Sequence, residues 1–170
     1  MKLVAHYVFS AGLLLFTVRF VAPEALFFLG ALWSAFAVNW AIDRLGHENA
    51  NGHPRRAFAT HSVFTAPWVG IIVTVLPVLI GVEAAGSHVI PYLPPMAFSL
   101  AVLALVGVIA ALSHLFLDAL TEGGIYTKPH HRVALAHMHY NSVAGNGLAI
   151  LAGLVLAGFA FEYTFFACFI

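Results

Sequence analysis

The chain has 170 residues, 62% of them hydrophobic and 8% charged, with a mean hydropathy of +0.95 and a formal net charge of zero. A soluble domain carries roughly a quarter charged residues, so this composition excludes a surface built for water and requires that much of the outside face lipid. Zero net charge gives no bulk attraction for nucleic acid, which is not expected as a partner, and the single cysteine, Cys168, excludes an internal disulfide and a thiolate metal cage.

A membrane-crossing helix needs roughly 20 mostly apolar residues. The first such window runs from about Leu3 to Phe20. No small-x-small cleavage site follows it, so it reads as a retained helix rather than a removed signal. The second runs from about Glu24 to Arg44, after Pro23. A third, from about Ala57 to Val82, holds Pro67 and Pro77, both expected to kink it. The fourth covers about Pro95 to Leu120, beyond the loop of Pro91, Pro94 and Pro95, and the fifth about Val143 to Phe166. The expected architecture is therefore all-α: one integral membrane domain over residues 1–170, a bundle of about five transmembrane helices. Two polar connections, Leu45 to Arg56 and Thr121 to Ser142, fall on the same side as the N-terminus. That side carries Lys2, Arg44, Arg55, Arg56, Lys128 and Arg132, and the other only Arg19. Positive charge stays inside, which predicts a multi-pass protein of the cell (inner) membrane with its N-terminus cytoplasmic and its C-terminus outside.

The ionisable residues crowd the same face. His6 lies one turn into the first span, Asp43 closes the second, His61 opens the third, and His114 and Asp118 lie in the last turns of the fourth. Of ten histidines only His88 is assigned to the opposite side. His114 and Asp118, four apart on a helix, share one face. Asn39 with Asp43, and His6 with Ser10, repeat the spacing. Imidazole and carboxylate suit a borderline divalent cation such as zinc, and groups so expensive within a membrane face a partner or a wet cavity. Any one histidine alone reads more simply as an interfacial residue; the convergence of His6, Asp43, His61, His114 and Asp118 points to a shared metal site of one or two ions. Most loop histidines read as solvated. Arg55 and Arg56 serve either as topology determinants or as a phosphate clamp beside the metal. His47-Glu48 with His53 lacks the H-E-x-x-H spacing, and neither a G-x-S-x-G nor a glycine-rich phosphate loop is present.

The run from Arg55 to Ser62, the run from His114 to Thr121 with Gly123, and His6 resemble the LexA-binding, inner-membrane-associated family of metal-dependent hydrolases and its archaeal membrane relatives. That family is in turn similar to the zinc-dependent phospholipases C. The resemblance implies His6, Asp43, His61, His114 and Asp118 as ligands in order, with His131 and His137 as later ones. Asn141 stands where the family pattern would place a glutamate after His137, so one complete site and at most a partial second are expected. The expected function is a metal-dependent hydrolase of a phosphoester in a lipid or lipid-linked substrate, with Asp118 at the reaction centre and Arg55 or Arg56 neutralising phosphate. Two other classes stay open: a metal or proton transporter, and a non-catalytic membrane adaptor with a structural metal.

Overall fold

Five helices form where the apolar windows lie: α1 (Leu3–Val21), α2 (Ala25–Leu45), α3 (Ala66–Ala85), α4 (Met96–Ala119) and α5 (Val143–Ala167). The computed structural model describes residues 1–22, 24–50, 53–85 and 95–167, without the side chains of 48–50, 53–55 and 163–167. His88 and Cys168 lie outside the described residues, and Arg55 is described in its backbone alone. All five helices are long and apolar enough to cross a membrane, and the chain is a multi-pass membrane protein.

Lipid tails are as apolar as leucine, so helices in a bilayer associate through close packing rather than through water exclusion. Two crossings use glycine for this. A Cβ added to Gly12 of α1 would overlap the Gly153 carbonyl of α5, and one added to Gly70 of α3 would overlap that of Gly107 of α4. The core beside these crossings is a cluster including Leu14, Phe27, Val38, Leu103, Val106 and Leu115. Large apolar side chains such as Leu29, Trp40, Trp68, Ile72 and Leu154 face outward, where a soluble protein would place charge.

The third helix starts later than the apolar run suggests. Residues 57–65 are turns, and α3 begins at Ala66. The segment is drawn off the helix by a neighbouring strand: Tyr126 N donates to His61 O at 2.8 Å, and Val63 N to Tyr126 O at 3.2 Å. Pro67 consequently sits in the first turn of α3, a position a helix tolerates because the ring removes a hydrogen bond that the first turn does not make. Pro77 lies inside the helix. The two polar connections carry antiparallel hairpins, β1 (His47–Ala50) with β2 (His53–Arg56), and β3 (Ile125–Lys128) with β4 (His131–Val133). Both stand at the end of the bundle that holds the start of α1 and the last turns of α2 and α4.

Candidate metal centre

Three helix ends and one hairpin deliver the candidate ligands. His6 enters from the second turn of α1, Asp43 from the end of α2, and His114 and Asp118 from the end of α4. His61 arrives by a tight return. After α2 stops at Gly46, the β1–β2 hairpin reverses the chain, and Ala57 N donates to Gly46 O at 2.7 Å. A Cβ on Gly46 would overlap the His61 ring, so glycine is what lets His61 lie against the end of α2.

The candidate ligands form two overlapping groups, His6, His114 and Asp118, and Asp43, His61 and His114, each with its ligand atoms within 4.8 Å of one another. His6, His61, His114 and Asp118 are each at most 1% exposed, which removes them from water, while Asp43 is half-buried. Asp118 divides its oxygens. Oδ2 faces His114 Nε2 at 3.3 Å and His61 Nε2 at 3.5 Å; Oδ1 faces His6 Nε2 at 3.4 Å and the Met1 amine at 3.3 Å. Asp118 Oδ2, His61 Nε2 and His114 Nε2 have no hydrogen-bond partner among the described residues. Buried polar atoms are rarely left so. These spacings exceed an ordinary N–H···O bond. They match ligand atoms arranged tetrahedrally around an ion at 2.0–2.1 Å, which stand roughly 3.3–3.4 Å apart.

The nitrogen that each histidine presents is set by the one behind it. Asn39 donates both amide hydrogens, to Ala35 O at 2.7 Å and to Ser10 Oγ at 2.9 Å, so its Oδ1, 2.9 Å from His114 Nδ1, must accept. His114 therefore carries its proton on Nδ1 and turns the Nε2 lone pair inward. The chain continues through Ser10 to Ser113 Oγ at 2.6 Å and ends on Ala110 O at 2.8 Å. Thr60 Oγ1 stands 3.0 Å from His61 Nδ1 in the same position relative to its ring. Burial, with His114 and the Arg56 charge adding to it, lowers the His61 pKa to about 3 against the pull of Asp118, so the ring is neutral and free to ligate. His6 stacks on His114 with ring centroids 4.1 Å apart.

Arg56 closes the cluster on its outer side. Its Nη2 donates to Asp118 Oδ1 at 2.6 Å and its Nη1 to Gly124 O at 2.7 Å. A side chain at Gly123 would collide with that guanidinium. Beyond Arg56 lies a cavity of about 480 Å³ walled in part by His47, Glu122, Arg132 and Tyr140.

Of the residues singled out from sequence, His6, Asp43, His61, His114 and Asp118 come together. Arg56 joins them as the partner of Asp118, and the Arg55 side chain lies outside those described. His131 and His137 do not join: both are exposed, with His131 Nδ1 2.9 Å from Thr127 Oγ1 and His137 in a left-handed turn at φ 49°. The polar chain through Asn39, Ser10 and Ser113 and the cavity at Arg132 are additions. The i, i+4 pairs Asn39 with Asp43 and His6 with Ser10 were the available signal for the first, since each aims a polar residue along the same helix face as a ligand.

A family model matches residues 1–117, that of a protein of unknown function (DUF1286). The matched span contains His6, Asp43, Arg56, His61 and His114. No curated protein and no solved structure matches the chain.

Proposed function

We propose that this chain, which belongs to the DUF1286 family, is a membrane-embedded metal-dependent hydrolase of a phosphoester in a lipid or lipid-linked substrate. The observation that carries the reading is that Asp118 Oδ2 stands 3.3 Å from His114 Nε2 and 3.5 Å from His61 Nε2, three buried atoms without a hydrogen-bond partner among the described residues, at spacings suited to ligands of one divalent ion. Zinc fits the mixed imidazole and carboxylate set. His61, His114 and Asp118, with Asp43 beside them, hold the principal ion. His6, on the Oδ1 side of Asp118, supports a partial second site. When bound, the ion supplies Lewis acidity towards water and the phosphoester. Arg56 holds Asp118 Oδ1, which leaves Oδ2 aimed at the histidines, and Asn39 and Thr60 keep the imidazoles in register. The likeness to the LexA-binding, inner-membrane-associated hydrolases and, through them, to zinc-dependent phospholipases C supports the reaction class. The bias of Lys and Arg supports a cytoplasmic site in the cell membrane, with the N-terminus inside and the C-terminus outside.

The adaptor with a structural metal is the second reading, favoured by one observation: four of the five candidate ligands are almost fully buried, as closed four-ligand sites are. The half-buried Asp43 and the cavity beside Arg56 argue for access. A transporter is less well supported, because the core towards the other end of the bundle is apolar apart from pairs such as Ser34 with Thr74.

The test is a screen of lipid phosphoesters in detergent and in bilayers. Turnover should vanish with chelator, return with zinc, manganese or cobalt, and fall by at least a hundredfold, on the order of a lost ligand or general base, in Asp118→Asn. Metal bound in a closed four-ligand shell without turnover would move the assignment to the adaptor.

A further inference from the structure

We propose that the cavity between the two hairpins is the pocket for the substrate's phosphate-bearing group, and that Arg132 is the residue that contacts the anion. This deepens the hydrolase reading and rests on it. The cavity, about 480 Å³, is the size of a pocket for a small organic ligand. It is continuous with the metal centre through two residues: Arg56, which lines it and bonds Asp118, and His47, whose ring centroid is 6.0 Å from that of His61.

Its lining offers an anion one uncommitted guanidinium. Two guanidinium groups line the wall against one carboxylate, Glu122, whose Oε1 is turned towards His139 Nε2 at 3.6 Å. The two arginines are not equivalent. Arg56 has a donor on Gly124 O and another on Asp118, so its fork is occupied by the protein. Arg132 is exposed, and its side chain makes no hydrogen bond among the described residues. It is nonetheless placed: its Cζ lies 5.6 Å from the centroid of the Tyr126 ring, and Tyr126 is itself tied down by its hydroxyl, which donates to Arg56 O at 3.1 Å. A guanidinium held against an aromatic ring keeps donors free for a bidentate phosphate contact, at a reduced entropic cost of ordering. The geometry thus separates two tasks the sequence assigns jointly to the Arg55-Arg56 pair. Arg56 orients a ligand, and Arg132 meets the substrate.

The chemistry recognised is a phosphate monoester or diester, whether free in solution or on a lipid head group. Exposed Leu45, Phe64 and Leu135 place apolar surface at this end of the bundle, which suits a substrate that enters from the bilayer.

Binding is measured on the zinc-loaded full chain in detergent and again after chelation, with inorganic phosphate and glycerol 3-phosphate as soluble probes. Phosphatidylcholine vesicles with and without phosphatidic acid form the lipid arm. In the chelated protein, where no ion can hold the anion, Arg132→Gln should weaken soluble-probe binding on the order of tenfold or more, as expected for loss of a charge-assisted pair. Arg132→Lys should recover part of it, and metal content should be unchanged in both. Mass-spectrometric mapping of phenylglyoxal labelling should show Arg132 modified and protected by phosphate. Competition by phosphatidic acid vesicles that depends on Arg132 identifies the lipid source; competition by soluble probes alone identifies the free one. Equal phosphate binding in wild type and Arg132→Gln, with metal retained, overturns the pocket and leaves the hydrolase reading standing. Absence of metal from the wild type sinks the hydrolase reading, while Arg132-dependent phosphate binding would still uphold the pocket.

Discussion

Asn39 illustrates how a neutral amide deep in a membrane bundle can govern a candidate metal ligand from outside the ligand set. Its two amide hydrogens are committed to Ala35 O and Ser10 Oγ, which forces its oxygen onto His114 Nδ1. Removing that acceptor frees the imidazole to rotate and to change tautomer. Asn39→Leu should therefore weaken zinc binding by roughly 10–100-fold, the usual effect of losing such an outer partner, measured by competition with a chromophoric chelator in detergent. Ser113→Ala, two links further along the chain, should have a smaller effect. Unchanged affinity in Asn39→Leu would show that packing alone orients His114. At this scale the sequence was partly legible. His114 and Asp118 share a helix face by spacing alone. The bond from Arg56 to Asp118 spans 62 positions and depends on where a hairpin folds, so no local pattern announces it.

Helix boundaries followed the apolar windows closely because lipid imposes both length and composition on a span. The exception was α3, whose apolar run begins before its helix. The backbone of His61 and Val63 pairs with Tyr126, and that non-local pairing overrides the local pattern. The displacement has a consequence for the site: His61 leaves the bundle axis and turns towards α4 instead of following the face of α3. Contact between elements is closest at the glycine crossings, and there a prediction can be made. Gly153→Leu forces α5 away from α1, where an added Cβ already meets the Val8 carbonyl. Overpacking of this kind costs about 1–3 kcal/mol, so thermal unfolding in detergent should shift downward. Gly147→Leu, on the same helix with nothing within 4 Å of an added Cβ, should leave unfolding unchanged. Equal effects at both positions would mean that the α1–α5 crossing contributes little.

For the whole molecule, five spans put the N-terminus and both hairpins at one end and the end of α5 at the other. The distribution of Lys and Arg predicts which end faces the cytoplasm. A reporter fused after Arg132 should report cytoplasm, and one fused after Ile170 the opposite compartment; a cytoplasmic signal from both would contradict the five-span orientation. That candidate ligands from three helices and a turn would converge was legible because the ionisable residues in a chain this apolar have few places to go, and nine of the ten histidines with most of the Lys and Arg fall at one end. That His131 and His137 would not join them was not, since that depends on how the connecting hairpins fold. His131 and His137 share the end of the bundle and stay at its surface. The central claim is that His61, His114 and Asp118 hold a divalent ion together. Elemental analysis of the purified chain, beside His114→Ala and Asp118→Asn, tests it most directly. The account predicts about one to two zinc or similar ions per wild-type chain and loss of most of that metal in both variants, because removing a ligand also undoes the geometry that supports the rest. Full metal occupancy in both variants, or a wild-type chain that binds no divalent ion, would contradict it.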